Sequence, residues 1–188
     1  MKKRALIYSM AIVLLIFWTG DQILAATPTA QVYAGNQLRT LGILKGSGDG
    51  SLQLENNITR AEVATIMVRI LTESPIVNPE PKTFFDVSAQ HWGRDYIQKA
   101  YQIGIIQGYS DGSFAPENKI SYAEVLTIMV NALGQKDSLN PELNWPENYI
   151  ARAKELGIVP AGGSTPFDKV ITRGEMALIV WDTILVKK

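Results

Sequence analysis

The chain has 188 residues, of which 46% are hydrophobic and 19% charged, a composition typical of one globular domain with a substantial core. Basic and acidic residues balance at 18 each, which argues against nucleic acid or an anionic membrane as the partner. Cysteine is absent, so disulfides, a thiolate nucleophile and cysteine-ligated zinc are excluded. The single histidine, His91, leaves little for metal binding or for a Ser–His catalytic pair.

The N-terminus predicts a signal peptide over residues 1–25. A positive stretch, Lys2-Lys3-Arg4, precedes an apolar run from Ala5 to Trp18, and small residues suited to cleavage follow. The apolar run is short for a membrane-spanning helix, and an uncleaved anchor is the alternative. Cleavage would remove three basic residues and Asp21, leaving a net charge of −2. We expect no membrane association of the cleaved chain.

Three segments of similar organisation then follow, at residues 26–72, 84–134 and 141–187. In the first we predict a helix over about 30–41, a left-handed cap at Gly42, a glycine-rich turn, and a second helix to about residue 71. Linkers at 73–83 and 135–144 flank the central segment, and the third segment has its turn at 162–164.

The spacing within the segments indicates an internal repeat. From Gly42 to Ile58 is 16 residues, and the corresponding glycine and isoleucine of the central segment have the same separation. In the third segment the separation is 14 residues. A unit of two helices and a loop cannot bury an apolar face alone, so we predict an all-α protein whose units pack on one another.

A capping box opens the second helix of every unit. A Ser or Thr is followed three residues later by Glu, and an Ile before the cap faces an apolar residue at the fourth helical position. The predicted capping residues are Thr59 with Glu62, Ser121 with Glu124, and Thr172 with Glu175. Apolar residues then recur with helical spacing, from which we predict a central three-helix bundle with methionine as core filler.

Two of these helices carry an arginine at their first position, Arg60 and Arg173. A cation opposes the preference of a helix N-terminus for negative charge. Two interpretations stay open from the residues alone. The arginines are either solvated side chains or part of an anion-binding corner beside free N–H groups.

At this point the central unit resembles the S-layer homology (SLH) domain, and the other two units resemble an incomplete and a divergent copy. The resemblance rests on Phe85, Asp86, Val87, His91, Trp92, Tyr96, Ile97, Ala100, Gly104, Ile106, Gly108, Asp111, Gly112, Phe114, Pro116, Ile120, Ala123 and Glu124. It implies a pseudo-threefold spindle of three repeats whose grooves bind secondary cell-wall polysaccharide, often carrying pyruvate ketals. It also implies a secreted protein held at the cell wall, in the S-layer.

The resemblance assigns the ligand-binding arginines to Arg60 and Arg173, and the groove tryptophans to Trp92 and Trp145. A guanidinium pairs with a carboxylate, and an indole packs on a sugar ring. Tyr122 stands where the family usually has arginine, and the first unit has no tryptophan counterpart, so we expect one or two grooves to be weak or silent. Further rim contacts are expected from the turn after each first helix, at Lys45, Gln107 and Tyr109.

Neither a cofactor nor a metal is predicted. Asp49-Gly50 and Asp111-Gly112 lack the alternating ligands of a calcium loop, so we interpret them as structural turns. Asp86 is expected to fix a local turn or helix start, with His91 hydrogen-bonded nearby. The leading hypothesis is a non-catalytic wall-binding module. The alternative is a surface adaptor whose partner is another envelope protein; a wall hydrolase has no carboxylate pair or nucleophile–base set to support it.

Overall fold

The computed structural model describes residues 28–159 and 166–185. They form six α-helices and no strand, which confirms the all-α prediction: α1 (Pro28–Thr40), α2 (Arg60–Ile70), α3 (Arg94–Gln102), α4 (Tyr122–Ala132), α5 (Glu147–Glu155) and α6 (Arg173–Val180). A 3-10 turn at Lys136–Ser138 and a π-helical turn at Trp181–Leu185 complete the described helical structure. The expected signal peptide and the turn at 162–164 lie outside the described residues. No helix within them is long and apolar enough to cross a membrane.

The second helix of each unit begins where the capping box predicts. The Thr59 hydroxyl accepts a hydrogen bond from Glu62 N (3.2 Å), and Glu62 Oε2 accepts one from Thr59 N (2.8 Å). The same reciprocal pair is present at the other two starts, Ser121 with Glu124 and Thr172 with Glu175. The first helices end on the predicted left-handed glycines, Gly42, Gly104 and Gly157, with φ of 72°, 78° and 67°.

A closed ring of backbone hydrogen bonds joins the three units just before these helices. Ile58 N donates to Ile171 O (3.1 Å), Ile171 N donates to Ile120 O (3.2 Å), and Ile120 N donates to Ile58 O (3.1 Å). All three isoleucines are fully buried, so each buried donor depends on a neighbouring unit for its acceptor. The ring gives the three helix starts a cyclic, threefold order.

Helix packing follows the same cyclic order. The closest helix pairs are α2 with α3, α4 with α5, and α6 with α1. Each capping-box helix therefore packs on the first helix of the next unit, with α6 returning to the first unit. The apolar faces of α2, α4 and α6 are buried as the periodicity predicts, at Val63, Met67, Val125, Met129, Met176 and Val180. The central three-helix bundle and the spindle outline stay predictions; the ring and these interleaved pairs are what position the site.

Candidate functional site

Arg60 lies at the corner between the first and second units. Its Nη1 is 2.5 Å from Glu124 Oε1, and its Nε donates to the carbonyl of Phe114 (2.8 Å). The guanidinium stacks 4.5 Å from the centroid of the Tyr109 ring and 4.9 Å from that of Phe114. The Tyr109 hydroxyl donates to the same Glu124 oxygen (2.7 Å). This corner therefore holds a partly buried ion pair covered by two aromatic rings.

Arg173 repeats the arrangement between the third and first units. Its Nη1 donates to Glu62 Oε1 (2.6 Å) and its Nε to the carbonyl of Leu52 (2.9 Å). A third hydrogen bond runs from Nη2 to the carbonyl of Lys45 (2.9 Å). Of the five N–H donors of a guanidinium, these bonds leave two for an outside ligand. Only 11% of the Arg173 side chain is exposed, against 31% for Glu62.

The capping glutamates explain why arginine stands at a helix N-terminus. In both Glu62 and Glu124, Oε2 accepts a hydrogen bond from the backbone N–H of the unit's own cap residue. The other oxygen, Oε1, accepts a hydrogen bond from the guanidinium of an arginine in a neighbouring unit. The negative charge favoured by the helix dipole is thus present, and it also neutralises the arginine. The sequence left the partner of each arginine open, and the structure shows that this partner is the capping glutamate of another unit.

The third corner is built differently. Tyr122, at the arginine position, is buried, and Glu175 is paired instead with Lys169, whose Nζ is 2.6 Å from Glu175 Oε1. The backbone carbonyl of Lys169 accepts a hydrogen bond from Tyr122 N (2.8 Å). At the other two corners, the carbonyls of Asn118 and Asn56 accept the equivalent bonds from the backbone N–H of Arg60 and of Arg173. Lysine therefore replaces asparagine where tyrosine replaces arginine. Burial first, and then the Glu175 charge, raise the pKa of Tyr122 to about 12.

We call the surface beside Arg60 the Arg60 groove, lined by Arg60, Tyr109, Glu124, Asn131, Trp145 and Tyr149 among others, with a volume of about 440 Å³. The half-exposed Trp145 donates from Nε1 to the Thr127 hydroxyl (3.0 Å), which fixes one edge of its ring. Burial, followed by the hydrogen bond to Glu124, raises the pKa of Tyr109 to about 12. One arginine and one glutamate leave this aromatic groove close to neutral.

The equivalent Arg173 groove is lined by Lys45, Glu62, Arg69, Trp92 and Arg173 among others, with a volume of about 130 Å³. Arg69 Nη1 donates to the carbonyl of Ile43 (2.9 Å), and its guanidinium lies 5.3 Å from the centroid of the Tyr96 ring. Three cations face one carboxylate here, so the local charge is positive, whereas the Arg60 groove has asparagine at the Arg69 position. The two grooves share geometry but differ in charge.

The predicted site residues therefore fall into two clusters: Lys45, Trp92 and Arg173 in one groove, and Arg60, Tyr109 and Trp145 in the other. Gln107 also lines the Arg60 groove. The sequence interpretation missed Arg69, Asn131 and Lys169. Arg69 and Asn131 stand seven residues after a capping glutamate, two helical turns along the same face, and this spacing could have revealed them. For Lys169 the only signal is its departure from the asparagine of the other units.

The two Asp-Gly loops are turns, as expected. Asp49 Oδ1 accepts from the Ser47 hydroxyl (2.6 Å) and Ser51 N (2.9 Å), and these bonds lower the pKa of Asp49. Asp111 Oδ1 accepts from both the N–H (2.9 Å) and the hydroxyl (2.7 Å) of Ser113. No cluster of metal-ligating side chains is found among the described residues.

The expectation for Asp86 needs correction. Asp86 does not fix a local turn: it accepts from Phe114 N (2.9 Å) and Ala115 N (2.6 Å), which tie two distant parts of one unit together. His91 contacts Glu117 through Nε2 (2.9 Å), and its Nδ1 accepts from Gly93 N (2.9 Å).

Comparison with known proteins finds one domain family in two segments of the chain. Residues 36–64 and 83–126 match the S-layer homology domain. The chain belongs to the S-layer homology domain family. A cell surface protein of Thermoanaerobacter kivui is 35% identical over 158 residues, which cover 82% of this chain and 19% of that protein. A middle cell wall protein of Brevibacillus brevis is 34% identical over 74% of this chain and 13% of its own length.

A cellulosome-anchoring protein of Acetivibrio thermocellus is 37% identical over 62% of this chain and 29% of its own length. The chain thus spans less than a third of each of these relatives. The family and the relatives confirm the predicted cell-surface location, and they point to a structural, non-enzymatic surface module. The unit boundaries and the ligand roles of individual residues stay predictions.

Proposed function

We propose that this SLH protein is a non-catalytic anchoring module that binds secondary cell-wall polysaccharide through acidic groups such as pyruvate ketals. The observation that carries the proposal is the Arg173 groove, where an exposed tryptophan lies beside three cations and one carboxylate. An indole face packs on a sugar ring, and guanidinium and ammonium groups pair with a carboxylate. The printed names of relatives, a cell wall protein and an anchoring protein among them, support attachment to the wall.

Within the Arg173 groove the roles of the cations differ. Arg173 is mostly committed to Glu62 and two carbonyls, so it contributes a fixed positive edge with two free N–H donors. Lys45 and Arg69 border the same groove. We assign the ligand carboxylate to this edge, since the capping glutamate is already neutralised by Arg173 and does not repel it.

The Arg60 groove has the tryptophan and arginine, but its described lining residues include no second cation. It suits a neutral sugar, which Tyr109, Trp145 and Tyr149 would contact through their rings. At the third corner Lys169 neutralises Glu175 and the position of the arginine is taken by a buried tyrosine. We assign that corner to stability alone. One groove for an acidic group, one for neutral sugar and one silent corner is the binding pattern proposed.

A variant of Trp92 gives a clean test because its side chain is 56% exposed and its loss leaves the ion pairs intact. We expect Trp92→Ala to weaken binding to purified walls by about tenfold or more, the range for loss of a ring-stacking contact. Phe85→Ala is the matched control, since Phe85 is an aromatic residue that is 73% exposed and lines neither groove. Equal effects of the two substitutions would reject the assignment.

The ligand itself is tested with walls chemically stripped of their secondary polysaccharide. We expect the wild-type protein to lose binding to stripped walls and to recover it when the isolated polymer is supplied on beads. Undiminished binding to stripped walls would instead indicate a protein partner in the envelope, and would reject the polysaccharide proposal.

A further inference from the structure

We propose that the Arg173 groove continues past Trp92 into a second subsite that binds an uncharged sugar residue adjoining the acidic one. This inference rests on the proposed function. It adds that the site recognises at least a disaccharide, with the acidic sugar bound at one end. We call this second region the extension; it is lined by Gln53, Glu55, Asn56, Asn57, Glu117 and Lys119 in addition to residues of the groove.

The extension adjoins the groove and shares part of its lining. It has a volume of about 690 Å³, and it shares Glu62, Trp92 and Arg173 with the Arg173 groove of about 130 Å³. The tryptophan thus borders both spaces, as do Arg173 and Glu62 of the partly buried ion pair. A sugar packed against the indole has open, polar surface beyond it, which a linked second residue would occupy.

Trp92 is held in the orientation that this arrangement needs. The imidazole of His91 stacks on the indole, with ring centroids 5.5 Å apart and an interplanar angle of 28°. His91 is itself fixed by Glu117 on one side and by the backbone of Gly93 on the other. Because Glu117 lines the extension, the residue that holds the stack also forms part of the proposed subsite. A preorganised ring lowers the entropy cost of binding.

Charge changes along the site and gives it a direction. Apart from the shared residues, the groove end carries Lys45 and Arg69, whereas the extension carries two glutamates and one lysine. A carboxylate is therefore favoured at the groove end and disfavoured in the extension. The amides of the extension can both donate to and accept from sugar hydroxyls, and Asn56 Nδ2 already donates to Gln53 Oε1 (3.2 Å), which orders that pair.

The central unit does not have the same three amide side chains beside its groove. The ring of isoleucines aligns Ile58 with Ile120, so Gln53 corresponds to Ala115 and Asn57 corresponds to Lys119. Two of the three amide positions are therefore changed beside the Arg60 groove. The inference is specific to the Arg173 groove and does not follow from the shared repeat pattern.

Calorimetry with two defined ligands tests the extension: a single sugar bearing a pyruvate ketal, and the disaccharide in which an uncharged sugar is linked to it. We expect the full chain to bind the disaccharide about tenfold more tightly than the single sugar. Asn57→Ala should lower the disaccharide affinity about threefold and leave the single-sugar affinity unchanged, since one hydrogen bond to the second residue is lost. Asn57 is exposed, so the substitution spares the core.

Asn118→Ala is the matched control, because Asn118 is an exposed asparagine in the equivalent loop and lines neither space. Equal wild-type affinity for the two ligands would overturn the extension while leaving the proposed function standing. The extension is also overturned, and the proposed function retained, if Asn57→Ala weakens the binding of both ligands alike or of neither. Absence of binding to either ligand would reject the proposed function itself, and the extension with it.

Discussion

Lys169→Asn isolates the rearranged third corner, because asparagine is what the other two units carry at this position. The substitution leaves Glu175 without its cation, and only 7% of the Glu175 side chain is exposed. Removing one partner of a fully buried ion pair costs about 3–5 kcal/mol, whereas a surface pair is worth about 0–1 kcal/mol. Lys169 is 39% exposed, so solvent screening lowers the estimate, and Glu175 keeps the N–H of Thr172. We expect a loss of about 2 kcal/mol in the free energy of unfolding.

Urea denaturation followed by circular dichroism measures this loss. Lys119→Asn is the control, since Lys119 is exposed and makes no ion pair with the described residues; it should change the free energy by less than about 0.5 kcal/mol. Adding Tyr122→Arg to Lys169→Asn restores the pattern of the other corners and should recover most of the loss. A Lys169→Asn protein as stable as the wild type would refute the view that lysine compensates for the missing arginine.

Two further predictions concern stability. Below about pH 10 both folded and unfolded chains keep Tyr122 protonated, but between about pH 10 and pH 12 the unfolded chain ionises while the folded one does not, because burial raises the pKa of Tyr122 to about 12. Stability should therefore fall across this window in pH-dependent urea unfolding, and Tyr122→Phe should make the fall shallower; an unchanged slope would contradict the burial argument. Gly108→Ala should cost about 3 kcal/mol, since Gly108 has φ of 75° and a Cβ there would clash with Cε1 of the buried Phe84. Gly50→Ala, with a similar φ of 79° and open space, should cost only about 1 kcal/mol in the same assay, and equal losses would show that the clash is relieved.

The features predicted correctly from the sequence are those set by local chemistry. A capping box specifies its own hydrogen bonds within four residues, so the starts of α2, α4 and α6 could be read directly. The helix-ending glycines are equally local, since each needs only a positive φ at one position. Helical periodicity identified the buried faces for the same reason, although it could not say which helix each face would meet.

The features that the sequence did not reveal depend on contacts between units. The pairing of Arg60 with Glu124 joins residues 64 positions apart, and that of Arg173 with Glu62 spans 111 positions. No local rule connects such residues, so the arginines looked either solvated or available to an anion. Asp86 was misjudged for the same reason, because its two N–H donors come from a distant turn.

The interleaving also changes which part of the chain is the functional unit. The Arg173 groove takes Lys45, Glu62 and Arg69 from the first unit, Trp92 from the second and Arg173 from the third. One groove therefore needs all three units, since its cations, its aromatic platform and its partly buried ion pair have different origins along the chain. The central unit carries the fullest sequence pattern, yet among the described residues that line this groove it contributes Trp92 alone. Completeness of a repeat in sequence is thus a guide to its fold, while the proposed binding groove lies at the boundary between repeats.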